Sequence, residues 1–209
     1  MKTTTENGAR TPGTLARRIL EGHSSAGNRF FSRLLAWLES PTRLKHTDRE
    51  RLLRGAGDLA GRTVLEIGCG SGFFTVPAAK LIGGEGTLYA ADIQPLAVET
   101  TGKRVREAGL SNVIVQRDDA MRSAFADSTF DAVLLYGVLP APFIDARALF
   151  AEIRRVLKPN GVCAVWTAAP LWRPYRSGKR AGLERLQAKN GVFRLRKPET
   201  AQDTERARD

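Results

Sequence analysis

The stretch TVLEIGCGSGFFT, Thr63 to Thr75, decides how this chain is built. Apolar and β-branched residues open it in the manner of a strand buried on both faces. One carboxylate, Glu66, interrupts them, and Gly68, Gly70 and Gly72 follow before apolar residues resume. A strand that enters a helix through glycines lets the backbone approach a ligand closely, because each absent Cβ removes a steric barrier. The turn also aims N–H groups at the helix start toward that ligand. The spacing is G-x-G-x-G, and the third glycine of a dinucleotide fingerprint would fall at Phe73, so a pyrophosphate fits poorly. Glu66, two residues ahead of the first glycine, repels a pyrophosphate as well; it suits a ligand that carries positive charge.

The same alternation repeats outward from this stretch. RTVLEIG, GTLYAAD, NVIVQRD, FDAVLLYG and GVCAVWTA are short and nearly all apolar, as parallel strands covered on both faces should be. Between them FFTVPAAKLIG, PLAVETTGKRVREAG and DARALFAEIRRVLKPNG carry apolar residues at helical steps and close near a glycine. Pro95 opens the second of these helices and Asp145 caps the third. Strand and helix in turn require right-handed crossovers, which predicts an α/β fold: a Rossmann-like, doubly wound, mostly parallel sheet with helices on both faces. Ahead of the core, TPGTLARRILEG, GNRFFSRLLAWLES and TDRERLLRGAGDLAG predict a helical extension, with Phe30, Phe31, Leu34, Leu35, Trp37 and Leu38 on one apolar face. Behind it, GKRAGLERLQAKN is expected as a helix and GVFRLRK as one more strand. No seventh strand is evident after that, so the sheet is expected to end one strand short at its C-terminus.

Two further acids bear on the ligand. Asp92 ends the second strand in LYAADIQP, where a carboxylate accepts hydrogen bonds from two ribose hydroxyls. Asp119 follows the third strand in QRDDAM, placed to accept from an adenine amino group. Acids at the ends of three successive strands share the edge at which open α/β sheets bind ligands. An ammonium and a sulfonium for Glu66, a ribose for Asp92 and an adenine for Asp119 together describe S-adenosylmethionine.

The ordered set VLEIGCGSG, AADI, RDDA, FDAVLLYGVL and LKPNG, from Arg62 to Ala168, resembles the class I S-adenosylmethionine-dependent methyltransferases. It is most similar to the small-molecule branch that includes the ubiquinone and menaquinone biosynthesis C-methyltransferases. The resemblance implies that Glu66, Gly68, Cys69 and Gly70 hold the methionine and ribose side, Asp92 the ribose, Ile93 one adenine face, and Asp119 and Ala120 the adenine edge. It places Tyr136 in the loop beneath the methyl group. It also divides the chain into an N-terminal lead-in and helical lid (1–61), a cofactor-binding methyltransferase domain (62–197) and a polar tail (198–209). YGVLPAP, after the fourth strand, lacks the Asn/Asp-Pro-Pro-Tyr signature of enzymes that methylate exocyclic or amide nitrogens.

The net charge of +11 over 209 residues is unevenly spread, because the centre from 62 to 169 is neutral and both flanks are basic. A neutral core with basic ends suggests an acidic partner for the ends. Arg43, Lys45, Arg49, Arg51 and Arg54 on one side, and Arg173, Arg176, Lys179, Arg180 and Arg185 on the other, are expected to rim one entrance, with Trp37, Trp172 and Tyr175 beside them. The expected acceptor is a small or amphiphilic, anionic molecule; an anionic membrane surface or RNA is the alternative partner for the flanks. A non-catalytic S-adenosylmethionine- or RNA-binding module and a nucleotide-dependent oxidoreductase are the competing functions. Cys69 and Cys163 form no CxxC pair, which argues against structural zinc, and no metal is expected. No apolar run approaches a membrane span and the N-terminus lacks a secretory signal, so the cytoplasm is the expected compartment. His46 is read as a surface residue with a general base as the alternative, and His23 as a turn residue; a base is needed only if the acceptor must lose a proton.

Overall fold

The computed structural model describes residues 28, 29, 32, 33, 47–141, 144–169 and 171–199. Its elements run α1 (Arg49–Arg54), β1 (Thr63–Ile67), α2 (Thr75–Ile82), β2 (Thr87–Asp92), α3 (Pro95–Glu107), β3 (Val113–Arg117), β4 (Phe130–Tyr136), α4 (Ala146–Val156), β5 (Leu157–Trp166), α5 (Tyr175–Arg180), β6 (Glu184–Lys189) and β7 (Val192–Arg196). The strands form one sheet in the order β3-β2-β1-β4-β5-β7-β6. Strands β1 to β5 are parallel, and β7 runs antiparallel to both of its neighbours. Strand order reverses direction between β1 and β4, so their carboxyl ends flank the switch point where ligands bind in such sheets.

Side-chain alternation along the strands builds two cores. Leu65, Ile67, Val133, Leu135, Cys163 and Val165 pack with Leu149, Phe150, Ile153 and Val156 of α4. Val64, Ala132, Leu134 and Ala164 pack on the other side with Leu53 of α1 and Ala78, Ala79 and Ile82 of α2. Glu66 has the parity of Val64, and this sends its carboxyl under α2. The helix starts follow their caps: Asp48 accepts from Arg51 N, Gln94 accepts from Leu96 N with Pro95 in the first turn, and Asp145 accepts from Arg147 N and Ala148 N.

The C-terminal end corrects the sequence reading. GKRAGLERLQAKN is not one helix: α5 ends at Arg180, and Glu184–Lys189 form strand β6, so the sheet has its seventh strand. Glu, Arg, Leu, Gln, Ala and Lys favour a helix locally. Pairing with β7 prevails because Asn190 and Gly191, at φ 53° and 78°, supply the two positive-φ residues that a tight hairpin turn of type I′ demands. Asn190 Nδ2 also donates to Arg51 O at 2.8 Å, which docks the turn on α1. A Cβ at Gly55 would lie 2.7 Å from both Lys189 O and Val192 Cγ2, so only glycine lets α1 sit this close.

No helix among the described residues is long and apolar enough to cross a membrane. The apolar face expected from Phe30 to Leu38, the histidines His23 and His46, Arg43, Lys45 and the tail from residue 200 lie outside the described residues.

Candidate functional site

Glu66 lies one residue before the end of β1 and is only 3% exposed. Thr75, the first residue of α2, donates its hydroxyl to Glu66 Oε2 at 2.6 Å. Burial pushes the Glu66 carboxyl up to about 8, the Thr75 hydroxyl acts against that rise, and the charge of Asp92 adds to it. A cation arriving beside this group would stabilise its ionised form.

The glycine loop after β1 is fastened from below. Gly68 N and Cys69 N donate to Ala91 O at 2.8 and 3.1 Å, and Gly72 N donates to Cys69 O at 2.8 Å. Gly70 N donates to Asp92 Oδ2 at 3.0 Å, and Gly70 O accepts from Thr101 Oγ1 at 3.1 Å. Four of the loop amides expected to face a ligand therefore hold the loop to β2 and to itself. Gly68 adopts φ 74°, and a Cβ there would lie 2.5 Å from Val138 Cγ2. The absence of a side chain lets the loop after β4 close over the end of β1.

Asp92 accepts one backbone N–H on each oxygen, from Gly70 and from Gln94, the second at 2.9 Å. Burial raises its pKa above the ordinary range, opposed by these two N–H groups. Each oxygen keeps a lone pair for a further donor. Beside it, Ile93, Arg117, Asp118, Asp119 and Arg122 line an open cleft of about 330 Å³. Asp118 N donates to Asp92 O at 3.1 Å and Arg117 Nε to Ile93 O at 3.0 Å, so the ends of β2 and β3 are tied together. Asp119 Oδ1 accepts from Met121 N at 3.1 Å, and Ala120 packs partly buried on the core below. Glu66, the glycines, Asp92, Ile93 and Asp119 are thus brought to one edge of the sheet.

Tyr136 sits at the end of β4 with its ring in the core, edge-on to Phe74 at 5.1 Å, and its hydroxyl donates to Leu52 O at 3.0 Å. Its side chain is engaged by α1 and α2. Cys69 and Cys163 are buried free thiols whose pKa values burial raises, with the carboxylates of Glu66 and Asp92 adding to the rise at Cys69. Both are packing residues. Among the described residues, no group of three or more His, Cys, Asp and Glu is placed to hold a metal ion. The basic flanks are partly engaged within the molecule: Arg49 lies over the Phe73 ring, Arg54 pairs with Glu50 at 3.9 Å, Arg173 lies over Phe193 and Arg185 over Tyr175.

Several residues at this edge escaped the sequence reading. Thr75 and Val138 reach Glu66 and Gly68 only through the fold. Gln94, 1% exposed, donates its Nε2 to Asn28 Oδ1 at 3.2 Å and so links the N-terminal segment to the end of β2. Its place just before Pro95 marks it as a helix cap, and that signal was present in the sequence.

A methyltransferase domain family model matches residues 64–161. The chain is 30% identical over 115 residues to a demethylmenaquinone methyltransferase of Geobacillus stearothermophilus, a match covering 54% of this chain and 48% of that one. It is 35% identical over 111 residues to nocamycin O-methyltransferase of Saccharothrix syringae, covering 53% of this chain and 39% of that one. The chain therefore spans about half the length or less of these curated relatives. A crystal structure of a SAM-dependent methyltransferase from Aquifex aeolicus superposes with a TM-score of 0.64 at 25% identity, covering 78% of this chain and 96% of that one. The sheet order, the fastened glycine loop and the acids at three strand ends agree with these matches: residues 64–161 carry a methyltransferase domain similar to the class I S-adenosylmethionine-dependent methyltransferases of the small-molecule branch.

Proposed function

We propose that this chain binds S-adenosylmethionine across the carboxyl ends of β1, β2 and β3 and directs its methyl group to a small organic acceptor. The observation that carries this reading is the joint placement of a buried Glu66 and a doubly anchored Asp92 on either side of one glycine loop. Glu66 takes the ammonium, Asp92 the ribose hydroxyls, Ile93 an adenine face, and Asp119 the adenine edge. Ala120 supports that edge from the core, and Gly68, Cys69 and Gly70 supply the close backbone approach. When bound, the cofactor supplies a methyl group on a sulfonium, already activated for transfer. The protein then has to hold the acceptor in line with it and exclude water.

The acceptor enters beside the ends of β4 and β5. Phe74 stacks edge-on against Phe73 at 4.9 Å and against Trp166 at 5.8 Å, and Phe73 and Trp166 are only partly buried. This aromatic surface favours a flat or amphiphilic acceptor. The similarity to demethylmenaquinone and nocamycin methyltransferases supports a small molecule over RNA or a membrane surface. Calorimetry with S-adenosylmethionine and with NAD tests the cofactor: heat from the first alone is expected, and heat from NAD alone would overturn the assignment. Transfer of labelled methyl into a small-molecule extract tests the acceptor. Label appearing only in RNA would sink the small-molecule reading.

A further inference from the structure

The two outer strands of the sheet protect their edges unequally. Strand β6 carries Glu184, Arg185 and Lys189, and its register with β7 breaks between Leu186 and Lys189. Edge charges, lysine above all, and irregularities of this kind deter a further strand. Strand β3 holds none of these before its last residue: Val113, Ile114, Val115 and Gln116 run in unbroken register against β2 and lead to Arg117. Its outer side meets no strand among the described residues. Helix α3 lies against one face of β3, but no helix stands between β3 and β4 to cover the other. Ile114, which pairs with Tyr89 there, is 44% exposed.

Hydrogen bonding decides which backbone groups this edge presents. Leu88 N donates to Asn112 O at 2.9 Å and Asp118 N donates to Asp92 O at 3.1 Å, so the even-numbered residues of β3 bond to β2. Alternation then turns the N–H and C=O of Val113 and Val115 outward. A second copy of the strand, antiparallel and related by a two-fold axis at Val115, exchanges both bonds between the two Val115 residues. In this register Ile114 faces Gln116 of the second copy, the two Ile114 side chains lie diagonally on one face, and Arg117 stands opposite Val113. An axis at Arg117 would set two guanidinium groups side by side, and an axis at Val113 would carry Val115 past the end of the facing strand. The Val115 register alone uses the whole strand and places no like charge on like charge.

We propose that β3 is a self-association edge, at which two copies of this chain join their sheets antiparallel about Val115. The pairing requires no cofactor and is tested on the full chain alone. Sedimentation across micromolar concentrations should give twice the mass of the chain. The Val115 amide should exchange slowly in that dimer and faster as dilution separates the copies. Ile114→Lys sets a charge on both sides of the seam at a position that is already exposed in the single chain. It should raise the dissociation constant by about tenfold to a hundredfold, because the change enters twice, with the circular dichroism spectrum unchanged. A monomer throughout this range would overturn the proposal, and so would a dimer whose affinity Ile114→Lys leaves within about twofold. Slow exchange at Val115 in a monomer would show the chain covering this edge by itself and would overturn it equally.

Discussion

Glu66 is a carboxyl whose burial works against its own ionisation, and two consequences follow for pH. In the folded chain its pKa stands near 8 against an ordinary value of 4.5, so the folded state holds a proton that the unfolded state releases. Its contribution to stability is complete below the ordinary value and disappears as pH rises through about 8, at about 1.4 kcal/mol for each pH unit between. Glu66→Gln should therefore leave the melting temperature of the unliganded protein unchanged near pH 4 and raise it at pH 8, while weakening the cofactor; thermal scans at the two pH values check this. Binding of an ammonium beside Glu66 should expel that proton, so affinity should rise with pH by up to about tenfold per unit until the ligand's own amine titrates near 8. Calorimetry in buffers of different ionisation enthalpy counts the proton, and zero release would separate Glu66 from the ammonium. Asp92→Ala should remove two hydrogen bonds to a charged acceptor and weaken cofactor binding by roughly 2–4 kcal/mol with the fold retained; affinity within a factor of two of wild type would take Asp92 out of the site. These acids were legible in the sequence because strand ends and glycines announce themselves. Thr75 and Val138 were not, because nothing local says what a side chain will meet across a sheet edge.

At the scale of elements, the loop from β3 to β4 carries Asp118 and Asp119 and is anchored in the core by Ala120, Met121 and Phe125. It is clamped by α4. Glu152 Oε1 accepts from Ser123 N at 2.8 Å, and Arg155 joins Glu152 at 2.6 Å and Asp127 at 2.6 Å. The Arg155 guanidinium, through its hydrogen bond first, holds the Glu152 carboxyl below its ordinary range, so the clamp is present at neutral pH and is lost as pH falls through that lowered value. Glu152→Ala should speed amide exchange at Ser123 to Phe125 and lower stability by roughly 1–3 kcal/mol, and it should weaken the adenine end of the site without touching it. Unchanged exchange in these residues would show that the loop holds itself. The parallel half of the sheet was readable because each strand and helix shows its own period. The hairpin was misread at β6 because its residues favour a helix; Asn190-Gly191 carried the contrary signal and outweighed six residues of propensity.

For the molecule as a whole, charge and order of construction matter most. Arg176, Lys179 and Arg180 are exposed on α5, whereas Arg49 and Arg185 lie over aromatic rings. With its cations divided in this way, the chain should bind neither total RNA nor anionic vesicles appreciably, and acceptor binding should depend only weakly on salt. Binding of either polyanion that falls by about tenfold or more between roughly 50 and 200 mM salt would instead show the flanks acting as one surface. The place of β7, antiparallel between β5 and β6, has a further consequence for how the nascent chain acquires activity. The hydrogen bonds that fasten the glycine loop come from Ala91, Asp92, Thr101 and the loop itself, so they can form early in synthesis, although β1 finds its second neighbour only in β4. The helix α1 is older still, yet its core neighbour Val192 and its tether Asn190 are translated far later. A ribosome-bound chain halted before Asn190 would therefore hold a fastened glycine loop while α1, bonded to Tyr136 through Leu52 O, still lacks its tether to the hairpin.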